Sequence, residues 1–274
     1  MGYQVPLKVV TKKVSPNILT VSCPFAVKNT LNVGARMVIF HYDGDIILWS
    51  PVPYNKKILE SAIAELTTAP YTIKYVFNIN TEHHLCAQQY KEIYPDVKLI
   101  GPEGTPKCEL DISLTNENAM KIIKGKGWAT DLKITDKSVT NNLELIYNPF
   151  HKNKELVLFD KSTKTLFLAD LIFNLGIHGT TTGEIVLEQY SPEFGFPKGF
   201  NPHGGWSYLT RYFQPESKVK NALMFEWPIS SIASCISSSF NERVILVDDL
   251  FCGGTNCSTV FLSVNVLHVG HTHS

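Results

Sequence analysis

The chain has 274 residues, 44% of them hydrophobic and 18% charged, a composition that excludes wholesale disorder. Lys plus Arg number 25 and Asp plus Glu 25, so the net charge is zero and nothing advertises the basic footprint of a nucleic-acid or anionic-membrane protein. No apolar run approaches the roughly 20 residues that span a bilayer as a helix.

The opening stretch, Met1 to Val10, lacks the basic-then-apolar pattern of a secretory signal, and Pro6 stands where a myristoylation signal needs Ser or Thr. Six Cys, mostly isolated, read as small buried hydrophobes in a reducing compartment, so the expectation is a cytoplasmic protein. Along the chain, Ile18 to Ser22 alternates as a strand. Arg36 to Trp49 reads as two strands around an Asp43-Gly44 turn, because Gly accepts the positive φ of a tight hairpin. Lys57 to Leu66 has helical spacing, Tyr71 to Ile79 reads as a buried strand, Leu85 to Tyr94 as a helix and Val97 to Ile100 as a strand. That strand–helix–strand order predicts parallel neighbours with helical cover. Gly101 to Gly104 reads as a turn and Lys121 to Gly127 as a solvated loop.

Three further strands are predicted at Leu143 to Tyr147, Leu156 to Phe159 and Thr165 to Leu168. A long loop follows at about 176–206, then a helix from Ser217 to Ser238 interrupted by Pro228, and a strand at Val244 to Val247 ending in Asp248-Asp249. The expected organisation is one domain over 1–250, with a divergent tail over 251–274.

Nine His residues form the pool for chemistry. His83-His84 stand at a strand-to-helix junction, where α/β folds present reactive groups, and Asn80 to Glu82 make the same junction polar. Alternatively, the two imidazoles are solvent-exposed loop side chains, or one caps the helix and the other is packed. His151 falls in a loop after one strand and Asp170 just past another; a carboxylate at a buried strand end needs a cation or hydrogen-bond donors to compensate it. Imidazoles and carboxylates from separate strand ends suit a zinc or iron site with an open position for water. His203 and Trp206 in the long loop, with Tyr208 just after it, could line a pocket together with Asn80, or simply pack as a lid. In the tail, Cys252, Cys257, His268 and His273 have a loose structural-zinc spacing, against the plainer reading of incidental residues at a terminus.

Taken together, His83-His84, Phe150 to Glu155 and Ala169 to Leu175 resemble DUF4336, an uncharacterised family within the metallo-β-lactamase-like superfamily. The resemblance runs from about Val14 through Leu175 and thinly to Asp249, and it does not extend to the tail. It implies an αββα sandwich with metals held at strand ends along one edge. The superfamily's first motif is His-x-His-x-Asp-His. With its last His on His84, Ile79 and Thr81 occupy the positions of the first two His, and His83 that of the Asp. His151 matches the third His position, Asp170 the bridging carboxylate, and Asp248 the place of the final His.

The resemblance therefore implies one divalent metal at most, zinc first and iron or manganese next, held by His83 or His84, His151 and Asp170. Glu82 or Asp248 would shuttle protons. The implied activity is hydrolysis of a small-molecule ester, lactone, amide or phosphoester by metal-activated water. A non-catalytic binding or scaffold protein without metal and a mononuclear-iron oxidoreductase are the alternatives. The expected partner is a small molecule, with no nucleic acid and no membrane; oligomeric state is left open.

Overall fold

The computed structural model describes residues 2–27, 31–171, 187–200 and 244–246. In chain order the first elements are β1 (Gly2–Tyr3), β2 (Val10–Ser15), β3 (Ile18–Cys23), β4 (Phe25–Val27), β5 (Leu31–Asn32), β6 (Ala35–Tyr42), β7 (Asp45–Trp49), α1 (Lys56–Ala64) and β8 (Thr72–Phe77). Next come α2 (Ala87–Ile93), β9 (Lys98–Pro102), β10 (Ile112–Leu114), β11 (Ile122–Ile123), α3 (Gly127–Leu132) and α4 (Lys137–Thr140). The last are β12 (Leu143–Asn148), β13 (Glu155–Asp160), β14 (Thr165–Leu168) and β15 (Val244–Leu246). The predicted helix at 217–238, the long loop except for 187–200, and the tail lie outside the described residues.

The strands form a seven-stranded sheet in the order β10-β9-β8-β7-β6-β3-β2, a five-stranded sheet in the order β11-β12-β13-β14-β15, and a small sheet of β1, β4 and β5. The β6–β7 hairpin turns at Asp43-Gly44, both at positive φ (52° and 81°), as the sequence requires. From β7 onward the large sheet runs parallel, β7 to β8 to β9. A parallel neighbour needs a crossover, and α1 and α2 supply the two.

Period-2 alternation explains how two sheets share one core. Val38, Phe40, Ile47, Trp49, Tyr75 and Phe77 point from the large sheet into the same buried cluster as Leu143, Leu145, Tyr147, Leu156, Leu158 and Phe167 from the smaller one. The intervening residues of the large sheet, among them Ile39, Ile46, Leu48 and Val76, face the other way and pack on Leu59, Ala62 and Ile63 of α1 and Ala87 and Tyr90 of α2. The central strands are therefore apolar on both faces, the mark of a sheet covered on both sides. Trp128 of α3 closes one end of the inter-sheet core and donates its indole N–H to Leu143 O at 2.9 Å.

Two readings of local sequence differ from the structure. Lys121 to Gly127 is not all loop: Ile122–Ile123 pairs antiparallel with β12, and Ile123 is buried between the sheets. Two apolar residues among lysines and glycines carry no local signal, and their partner strand decides the matter. Likewise Gly101 and Pro102 finish β9, and the turn begins at Glu103. No described helix is long and apolar enough to cross a membrane.

The segment 187–200 is anchored rather than draped. Arg36 Nε lies 3.1 Å from Glu188 Oε2, the Ser22 hydroxyl donates to the same oxygen, and Lys12 stands 3.8 Å from Oε1. Tyr190 donates to Asn32 O at 2.7 Å, and a Cβ on Gly34 would sit 2.8 Å from Gln189 Cβ, so only glycine allows this approach. Burial pushes the Glu188 carboxyl up, but the charges of Arg36 and Lys12 and the Ser22 bond outweigh it and hold it below the ordinary value. A lowered folded value means stability that is present above about pH 4.5 and lost as pH falls below it. Glu188→Gln should therefore lower the thermal midpoint at pH 7, by an amount corresponding to about 2 kcal/mol. It should also flatten the fall in midpoint below pH 4.5, which denaturation scans from pH 3 to 7 would read directly.

Candidate active site

At the carboxyl end of β8 the chain leaves the large sheet and bonds to the smaller one. Ile79 O accepts from Leu156 N at 2.8 Å, and Asn153 O accepts from Thr81 N at 2.8 Å and from the Thr81 hydroxyl at 3.0 Å. These bonds join the loop after β8 to the β12–β13 connection, and the end of β14 completes the site.

Asn80 is the hub. It is fully buried, and its side-chain amide nitrogen donates to Glu155 Oε2 at 2.7 Å and to Asp170 Oδ2 at 3.0 Å. Its side-chain oxygen accepts the backbone N–H groups of Glu82 and His83, both at 2.9 Å. All four hydrogen-bonding positions of the amide are used, and the bond pattern fixes which atom is nitrogen. Asn80 thus frames the site from beneath rather than lining its surface. Glu155, also fully buried, accepts from Ala169 N at 2.7 Å and Asp170 N at 3.1 Å through its other oxygen. Asn153 donates to Asp170 Oδ2 at 2.6 Å.

His83 Nε2 stands 3.4 Å from Asp170 Oδ1, with both side chains mostly buried. His151 lies near enough for the Asp170 charge to act on it, and its Nδ1 accepts from Asn153 N at 3.3 Å. His84 turns away: its Nδ1 bonds Thr81 O at 2.7 Å, and because a carbonyl only accepts, that nitrogen carries the proton. Glu82 is exposed on the loop surface. Asp248, His203, Trp206 and Tyr208 lie outside the described residues. The structure therefore brings His83, His151 and Asp170 into one neighbourhood and leaves the His84 ring on its own loop.

Glu155 and Asn153 entered the sequence reading only as letters of a longer motif. The available signal was an ionisable residue at the head of the apolar run Leu156 to Leu158, where a carboxylate has no reason to stand unless it bonds something.

The two carboxyls are driven apart. Burial and the charge of Asp170 push Glu155 up to about 8 against the pull of Asn80, His83 and the Ala169 N–H. Burial would raise Asp170 too, but the charge and hydrogen bond of His83, with Asn153 and His151, hold it down at about 2. Asp170 therefore carries the negative charge. His151 is lowered from the usual imidazole value by burial, which outweighs the attraction of Asp170, so it is neutral at pH 7.

A neutral imidazole and an ionised carboxylate are the right kinds of metal donor, yet the described residues contain no group of three or more His, Cys, Asp or Glu side chains able to hold a metal ion. Asp170 already spends Oδ2 on Asn80 and Asn153. The described donors do not fit a complete metal centre.

A raised Glu155 contributes stability that is present in acid and lost as pH rises from about 4.5 through about 8. The wild-type thermal midpoint should fall across that window. Glu155→Gln should start lower, because its new amide faces the Asn80 donor, but should lose that slope. An unchanged slope in the variant would show that Glu155 does not titrate there.

Comparison with family models and with curated proteins gives no match. Solved structures do match. A crystal structure of the metallo-β-lactamase DIM-1 exposed to ceftazidime superposes with a TM-score of 0.51 at 12% identity, covering 88% of this chain and 89% of that one. The metallo-β-lactamase IND-7 gives 0.49 at 11% identity over 92% and 94% of the two chains. FIM-1 from Pseudomonas aeruginosa, in its mono-zinc form, gives 0.48 at 9% identity over 88% and 87%. At such identities the likeness is one of architecture alone, and it rests on the first of the three. The two facing sheets, the helices on the outer face of the larger one and this superposition give the chain the metallo-β-lactamase fold.

Proposed function

We propose that the protein is a hydrolase of small-molecule esters, lactones, amides or phosphoesters, working at the His83–Asp170 pair. The observation that carries this reading is the 3.4 Å contact between an imidazole and a carboxylate held ionised at a strand end. In its neutral form His83 takes a proton from water, and Asp170, whose carboxylate attracts the charged ring, stabilises the imidazolium that forms. The water oxygen bonds to the substrate carbon or phosphorus, the bond to the leaving group breaks, and His83 returns the proton to that group. Neutral His151, beside Asp170, orients the substrate or the water. Glu82, exposed on the same loop, relays protons to solvent.

Zinc, with iron and manganese behind it, is the cofactor the family resemblance implies. The described donors fall short of a ligand set, so the steps above use only side chains. Asp248 is a further donor on offer. It stands two positions past Leu246, just as Asp170 stands two positions past Leu168, and Leu168 pairs with Leu246. On this reading the chain is a divergent relative of DUF4336, one cytoplasmic domain over 1–250, and the substrate pocket takes His203 and Trp206 from the loop at 176–206 and Tyr208 from just beyond it.

A second reading, a binding protein without catalysis, is favoured by two positions. Ile79, where the superfamily has a metal-binding His, is buried between the sheets, and Thr81, at the next, is committed to Asn153 O.

The deciding assay uses p-nitrophenyl acetate, γ-butyrolactone and p-nitrophenyl phosphate with untagged wild type, His83→Ala and Asp170→Asn, alongside elemental mass spectrometry. Hydrolysis of at least one substrate should drop about 100-fold in each variant. A full equivalent of zinc that disappears in Asp170→Asn would transfer the activating role from His83 to the metal. Wild type inert towards all three, with and without added zinc, would leave the binding reading.

A further inference from the structure

We infer that the substrate carries an apolar group, an alkyl chain or aryl ring close to the scissile bond, and that Phe150 receives it. This rests on the proposed hydrolytic site and adds the class of substrate.

The β12–β13 connection is pinned along its length. Phe150 N–H donates to Asn148 Oδ1 at 3.1 Å, Lys154 N–H to His151 O at 2.9 Å, Asn153 N–H to His151 Nδ1 at 3.3 Å, and Asn153 O holds Thr81. A connection held this way nevertheless leaves its largest side chain in water, with Phe150 69% exposed. Its neighbours His151 and Asn153 turn inward. On the loop bonded to it, Leu85 is 47% exposed beside His84. Phe40, Phe77 and Phe167 are fully buried, so the fold has places for phenyl rings and does not use one here.

One exposed apolar residue is ordinary; its position carries the argument. Phe150 and Leu85 stand on the two loops that also supply His151 and His83, and the Thr81–Asn153 bonds tie those loops together. Small-molecule sites are concave and mostly apolar, with a few converging polar groups, and apolar side chains on the loops around the polar groups form their rim. The His83–Asp170 pair supplies the polar element, and Phe150 with Leu85 the apolar one. Phe150 is thus a specificity-determining residue, distinct from the groups that move protons.

The test measures binding first, so that it stands without turnover. Acetamide, butanamide and hexanamide, neutral and resistant to hydrolysis, are titrated into wild type, Phe150→Ser and Phe150→Leu by NMR. In wild type the affinity should rise roughly two- to fourfold per added methylene. Phe150→Ser should abolish that gradient with its thermal midpoint unchanged, and Phe150→Leu should keep most of it. No binding, no gradient in wild type, or the same gradient in Phe150→Ser would overturn the inference. Acetate and hexanoate p-nitrophenyl esters separate this from the reading beneath it. A gradient without hydrolysis keeps the apolar subsite and removes the hydrolase, and hydrolysis without a gradient does the reverse.

Discussion

The side-chain amide of Asn80 holds the working edge of this protein together. It follows β8, inside the parallel run of the larger sheet, bonds two carboxylates that belong to the other sheet, and turns its oxygen back to the N–H groups of Glu82 and His83. A buried amide with every position filled is costly to disturb, because each lost partner leaves a desolvated group unpaired. Asn80 thus ties the loop carrying His83 directly to the strand end carrying Asp170, and Asn153 and Glu155 add further bonds to both. No packing of apolar residues could do this, since dispersion contacts are not directional.

The rest of the molecule supports that edge. The inter-sheet core ends at Ile79, whose carbonyl is the first bond across to β13. From there outward the contacts change from apolar to polar within a few residues: Asn80, Thr81 and Asn153, then the imidazoles. Carboxylates placed in this band take their charge state from their surroundings. Asp170, beside an imidazole, stays ionised, whereas Glu155, sealed in and facing Asp170, is pushed towards its neutral form. Two acids of similar intrinsic strength acquire different properties from a few ångströms of context. Buried Asp160 provides a contrast. It accepts from Ser162, from the backbone and hydroxyl of Thr163, and from the Tyr42 hydroxyl, and so serves the β13–β14 turn and no reactive group.

Much of the scaffold could be read before any coordinates. The Asp43-Gly44 hairpin, the helix expected over Lys57 to Leu66 and the three strands between Leu143 and Leu168 are local: their turn chemistry and spacing identify them wherever they occur. The short edge strand at Ile122–Ile123 could not be read, because two apolar residues become a strand only when β12 is beside them. The anchoring of 187–200 depends in the same way on Arg36 and Ser22, more than 150 residues earlier in the chain.

By itself, then, the sequence determined the sheet-and-helix composition, the strand ends at which polar residues gather, and the candidacy of His83, His151 and Asp170, since each depends on periodicity or on a polar residue in an apolar setting. Only the tertiary structure decided that His83 faces Asp170 while His84 faces its own loop, and that Asn80 and Glu155 lie under the pair. Those outcomes turn on contacts between residues up to 90 positions apart. Distances of a few ångströms across two sheets are set by how the sheets pack, and no local pattern of residues encodes them.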